Sequence, residues 1–152
     1  MNCLLLYYTG TFNTRFVTGK LKTRLETEGW SVTSYEIDPL NNESLDLSSY
    51  DIIGLGYPIY GYCAPYAFLR FVRAQKFPRG MRIFIYKNSG ETEHANDASS
   101  KYLVRKLRRD VARGGCDHRD YCMARMYSDK MICCHNCNDI PQKLWNEIDK
   151  IK

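Results

Sequence analysis

Short apolar runs alternate with amphipathic stretches along the chain, and that alternation restricts the fold more than any single motif does. Cys3–Tyr8 is a continuous apolar run, the pattern of a strand buried on both faces. Asn13–Glu28 carries Phe16, Val17, Leu21 and Leu25 near helical spacing and stops at Gly29. Val32–Ile37 alternates like a strand, and Asp51–Tyr57 and Met81–Tyr86 are again apolar runs. Pro65–Gln75 gathers Phe68, Leu69, Phe71 and Val72 on one helical side. Asp97–Arg113 follows with Leu103, Val104, Leu107 and Val111 as its apolar stripe. Tyr121–Tyr127 reads as a last strand and Ile140–Lys152 as a closing helix, with Asp139 as N-cap and Pro141 in the first turn. Asp38–Tyr50 is polar and irregular, with room for a short helical turn.

The order is βαββαβαβα. Strands separated by helices imply a parallel sheet covered on both faces. Right-handed crossovers leave few topologies, of which a doubly wound five-stranded parallel sheet is the natural one. The expected class is therefore α/β, a single domain over 1–152. At 44% hydrophobic residues the chain can bury a core of its own. Its net charge of +5 is mildly basic and does not point to nucleic acid. The first residues have no basic region and too short an apolar run for a signal peptide or membrane span. Seven cysteines are too few for a disulfide scaffold, so a reducing, cytoplasmic setting is expected, without a membrane.

In such sheets ligands bind outside the carboxyl ends of the strands, where the strand order reverses. Three loops are therefore singled out. The first, Thr9-Gly10-Thr11-Phe12-Asn13-Thr14, opens directly into a helix. A helix start leaves backbone N–H groups without partners and favours an anion, and the hydroxyls and the amide add short donors. It has no lysine and is not a Walker loop, nor is it a G-x-G-x-x-G turn. The second runs from Gly56 through Pro58-Ile59-Tyr60-Gly61-Tyr62 to Pro65, and the third is Lys87-Asn88-Ser89-Gly90-Glu91-Thr92-Glu93.

The first of these loops resembles the phosphate loop of the flavodoxins, T-G-T-G-N-T, with Phe12 in place of the second glycine. Tyr60-Gly61 is similar to the aromatic–glycine pair of the same family. The resemblance covers the chain in its short-chain form, and Met123–Lys152 looks like the end of the flavodoxin part of anaerobe flavodoxin–ferredoxin fusion proteins. It implies a flavodoxin-like fold that holds FMN non-covalently. Thr9, Gly10, Thr11, Phe12, Asn13 and Thr14 would then hold the phosphate. Pro58, Ile59, Tyr60, Gly61 and Tyr62 would form the loop against the ring. A tyrosine stacks on an electron-poor flavin and lowers its potential. Gly61 would allow the peptide flip by which the family lets a carbonyl accept from a protonated flavin N5. Asn88, Ser89 and Gly90 would meet the pyrimidine edge. Arg15 stands where flavodoxins often have glutamate, and is expected to screen the phosphate.

The family reading gives an FMN electron carrier whose partners are redox proteins, ferredoxin-type or acidic-surfaced. The alternative is an FMN oxidoreductase on the same fold, a quinone or flavin reductase or a protoporphyrinogen-oxidase-like enzyme. A receiver domain is excluded, because Tyr8-Thr9 and Tyr57-Pro58 stand where its carboxylates would be. Cys134-x2-Cys137, with Cys133, His135, Cys116, His118 and Cys122 nearby, has metal-ligand spacing but lacks a second such pair, so ordinary thiols are favoured. His94 falls in the third loop and is expected at the surface. Lys101–Arg113 carries six cations against Asp110, a solvated helix face or a docking patch for an acidic partner.

Overall fold

A computed structural model describes residues 1–41, 43–88, 103, 105 and 149. Its elements are β1 (Asn2–Tyr7), α1 (Asn13–Thr27), β2 (Ser31–Glu36), β3 (Ile52–Pro58), α2 (Tyr66–Ala74) and β4 (Arg82–Asn88). The four strands form one parallel sheet in the order β2-β1-β3-β4. Each expected element up to Tyr86 is present, with ends shifted by one or two residues. Leu103 and Arg105 are helical, as expected of Asp97–Arg113, and Asp149 is helical, as expected of the closing helix. The expected fifth strand at 121–127 lies outside the described residues.

Alternation along the strands divides the core in two. Cys3, Leu5, Tyr7, Ile52, Phe84 and Tyr86 face α1, against Val17, Leu21 and Leu25. Burial pushes the Cys3 thiol up to about 12, so it stays a neutral apolar group. Leu4, Leu6, Ile53, Leu55, Tyr57, Ile83 and Ile85 face α2, against Phe68, Phe71 and Val72. Leu103 joins this second cluster. Tyr57 and Phe68 meet ring on ring, with centroids 4.7 Å apart.

Two glycines make the α1 side possible. A Cβ at Gly54 would lie 2.5 Å from Phe84 Cζ and 2.7 Å from Leu5 Cδ2, and one at Gly56 would overlap the Tyr86 ring. The bare backbone of β3 is thus the floor on which two β4 aromatics lie. Tyr86 Oη then reaches Thr18 Oγ1 on α1 at 2.8 Å. Burial raises the Tyr86 pKa, so its hydroxyl remains a neutral hydrogen-bonding group.

The segment between β2 and β3 contains no helix among its described residues. Asp38, Asn41 and Asp46 each accept a backbone N–H two residues on, which gives the chain local turns in place of a helical one. Gln75, buried after α2, ties it down: its Oε1 accepts from Leu45 N and its Nε2 donates to Glu43 O, both at 2.9 Å. Among the described residues no helix is long and apolar enough to cross a membrane.

Gly56→Ala is expected to lower the unfolding free energy in urea by about 1–3 kcal/mol, the usual cost of overpacking. Gly19→Ala on α1, where a Cβ meets nothing, is expected to raise it by about 0.5–1 kcal/mol. Equal effects at the two positions would contradict the packing described.

Candidate functional site

The strand register brings the carboxyl ends together. Tyr7 lies beside Glu36 on one side and Gly56 on the other, and Pro58 lies beside Asn88. The chain turns from β2 on one flank of β1 to β3 on the other, so the crevice opens between the loops that follow β1 and β3. Both loops are described throughout.

The first loop is Tyr8–Phe12. Phe12 caps α1 in the left-handed conformation, φ 64° and ψ −8°, and its side chain is 63% exposed. No side chain caps the helix and no acidic residue stands in its first turn, so the first backbone N–H groups face the loop unopposed. Thr9 Oγ1 is buried without a hydrogen-bond partner. Thr14 is buried in the first turn, and its hydroxyl donates to Asn88 Oδ1 at 2.8 Å. Thr14 is therefore a structural tie as much as a donor. Asn88 ends β4 instead of starting the loop after it, and its carbonyl accepts from Ile59 N at 2.8 Å. As polar residues, Lys87 and Asn88 read as loop in the sequence. They extend the strand because their backbone pairs with Tyr57 and Pro58.

The second loop is a tight hairpin. Tyr60 and Cys63 exchange both backbone hydrogen bonds, at 2.9 and 3.0 Å, across Gly61 (φ 53°) and Tyr62 (φ 64°). Two positive φ values in a two-residue connection are the signature of a type I′ turn. Gly61 accepts this without cost, and Tyr62 does so as a tyrosine, 56% exposed. Ile59 is partly buried against the α2-side core, so it anchors the hairpin with its side chain. Tyr60 is 43% exposed and leans over the first loop. A Cβ at Gly10 would stand 2.5 Å from its Oη, so the glycine makes room for that ring.

The structure thus gathers Thr9, Gly10, Thr11, Phe12, Asn13, Thr14, Pro58, Ile59, Tyr60, Gly61, Tyr62 and Asn88 at one sheet edge. Ser89 and Gly90 lie outside the described residues, as do His94, the cysteines from Cys116 onward and all of Lys101–Arg113 except Leu103 and Arg105. One expectation changes. Arg15 turns away to the end of β2, where Nε and Nη2 each donate to Glu36 at 2.7 Å. Its guanidinium also lies over the Phe12 ring, 4.7 Å from the centroid. A bidentate carboxylate is a better partner for a planar fork than the loop beside it.

Sequence reasoning missed Glu36 and Tyr7. Tyr7 reads as core, yet its Oη donates to Glu36 Oε2 at 2.8 Å. The Arg15 hydrogen bond holds the Glu36 carboxyl below its ordinary pKa, with the Tyr7 hydroxyl adding to it against desolvation. Burial raises Tyr7, and the bond to Glu36 adds to that. The available signal was an acid near the carboxyl end of the strand beside β1, on the same sheet edge as a first-turn arginine.

No family model matches the sequence, and no curated protein matches it. Solved structures do. A flavodoxin from the domain Archaea aligns over 99% of both chains at 11% identity with a TM-score of 0.61. A short-chain flavodoxin associated with a bacterial microcompartment aligns over 99% of this chain and 96% of that one, at 14% identity and a TM-score of 0.63. Oxidised flavodoxin 1 from Bacillus cereus covers 77% of this chain and 78% of its own, at 17% identity and 0.55. At these identities the likeness establishes the fold, an α/β flavodoxin-type fold with a parallel sheet.

The lowered Glu36 pKa has a measurable consequence. Stability from the Arg15–Glu36 pair is present above the unfolded carboxyl pKa of about 4.3 and is lost as pH falls through the lowered folded value. Arg15→Met should therefore cost stability in urea at pH 7 and cost less as the pH falls below that point. The pair is half-exposed, so the effect is small. A cost independent of pH would show that the pair is not the source.

Proposed function

We propose that the chain binds FMN non-covalently at the carboxyl edge of the sheet and carries low-potential electrons between redox proteins. The observation that carries this reading is the orphaned hydroxyl of Thr9. It is a buried polar atom left without a partner in a loop that also presents an uncapped helix start. A buried hydroxyl in that position asks for a ligand with acceptor oxygens, and a phosphate at a helix N-terminus supplies them.

The residues fit the group. Gly10 keeps the loop backbone bare. The backbone of Thr11, Phe12, Asn13 and Thr14, with the Thr9 and Thr11 hydroxyls, would hold the phosphate. Tyr60 and Tyr62, both exposed on the hairpin, offer aromatic faces for a flat ring. The Asn88 side chain is already engaged by Thr14, so its part is to seat the first turn of α1. FMN, when bound, supplies the uptake and release of electrons. The chain would bind it and offer the tyrosine faces of the hairpin to its ring. Support for the flavin comes from the phosphate loop in the sequence together with the flavodoxin-type fold. The net charge of +5 favours redox partners with acidic contact surfaces, ferredoxin-type proteins among them. Cysteine usage favours the cytoplasm. The Met123–Lys152 likeness to fusion proteins is carried by the sequence alone.

Purified protein titrated with FMN and with riboflavin, read by flavin fluorescence, tests the assignment. FMN should bind at least about tenfold tighter, the least that a phosphate making charge-assisted hydrogen bonds should add. Tyr60→Ala should alter the bound flavin absorbance and raise its two-electron potential. No binding, or equal affinity for the two flavins, would defeat the reading. Turnover of NAD(P)H against a quinone would replace the carrier with an oxidoreductase.

A further inference from the structure

Phe12 occupies a backbone conformation that a bulky L-residue disfavours about tenfold. A glycine would take it freely. Core packing does not hold the residue there, because its side chain is 63% exposed. The Arg15 guanidinium lies over the ring, 4.7 Å from its centroid. That guanidinium is itself fixed. Two parallel 2.7 Å hydrogen bonds join it to the Glu36 carboxylate, and Tyr7 Oη donates to the same carboxylate at 2.8 Å. Tyr7 and Glu36 are register partners at the carboxyl ends of β1 and β2. A continuous set of contacts therefore runs from the rigid sheet, through a carboxylate and a planar cation, to the one residue whose backbone is strained at the mouth of α1.

We propose that Glu36 and Arg15 are positioning residues for the loop of Thr9–Thr14: they clamp the Phe12 ring and so hold an aromatic residue in the left-handed conformation that keeps the loop amides presented. The proposal rests on the FMN reading for the identity of the loop's ligand, though not for the clamp itself. The arrangement makes a specific demand on side-chain shape. A lysine at position 15 would keep the charge but lose both the fork and the flat face that covers the ring. It also separates two roles for Arg15. A cation acting at long range on a phosphate works whatever residue stands at position 12, whereas a clamp matters only while that residue needs holding.

The experiment compares wild-type protein with Arg15→Met, Phe12→Gly and the double variant, with Arg15→Lys and Glu36→Gln as companions. FMN affinity is read by flavin fluorescence. Arg15→Met and Arg15→Lys should each weaken binding about two- to fivefold, which is what an exposed cation–π contact is worth. Glu36→Gln should weaken it in the same direction. Adding Phe12→Gly to Arg15→Met should recover most of that loss, since glycine needs no clamp. Full affinity in Arg15→Lys, or the same loss from Arg15→Met with and without Phe12→Gly, would overturn the proposal. The same four proteins are also unfolded in urea without ligand. Arg15→Met should shift the midpoint less in the Phe12→Gly background than in the wild type. If wild-type protein binds no FMN, the FMN reading fails and this second cycle still decides: equal shifts in both backgrounds would overturn the clamp.

Discussion

α1 rests on an apolar cluster of the sheet, and a short ladder of two polar contacts to a single strand sets its register, on which the candidate site depends. Tyr86 and Asn88 stand two residues apart on β4 and face the helix. Thr18 meets the first and Thr14 the second, each at 2.8 Å. Two residues of strand and one turn of helix advance by similar lengths, so the two elements lock in step. The ladder exists because Gly54 and Gly56 leave β3 bare beneath Phe84 and Tyr86. A Cβ at Gly54 would stand 2.5 Å from Phe84 and one at Gly56 2.3 Å from Tyr86, so the aromatics beneath the helix depend on that space. The position of the site is thus set by packing in the middle of the domain.

Much of this was legible in the sequence, for reasons that differ by residue. The apolar runs at Cys3–Tyr8, Asp51–Tyr57 and Met81–Tyr86 are too short for helices and too apolar for a half-exposed sheet, so buried parallel strands followed from length and pattern. The loops after them were legible because topology alone puts them at one edge. Partner choice was not legible. Asn88 looks like a turn residue until its backbone is seen paired with Pro58, and Arg15 looks like a phosphate ligand until Glu36 is seen beside it. Phe12 stands in place of a glycine in the resembling loop, and its left-handed backbone is not legible in its side chain.

Two non-glycine residues with positive φ occur among the described residues, Phe12 and Tyr62, and each lies in one of the two loops that flank the crevice. Such conformations persist where the surroundings over-determine them, and they gather at sites that bind or act. At Tyr62 the hairpin's paired hydrogen bonds do the holding; at Phe12 a side-chain clamp does. The strained backbones and the unpartnered Thr9 hydroxyl are features that core packing does not require. They are understandable if the edge is shaped to meet a ligand.

We propose that the amides at the start of α1 receive a phosphate. Backbone amide resonances of nitrogen-labelled protein, followed as FMN and then riboflavin are added, test it most directly. Large shifts are expected at Thr11, Phe12, Asn13 and Thr14 with FMN, and much smaller ones at the same amides with riboflavin. Shifts confined to the opposite edge, around Ser31 and Arg82, or identical shifts with both flavins, would contradict it.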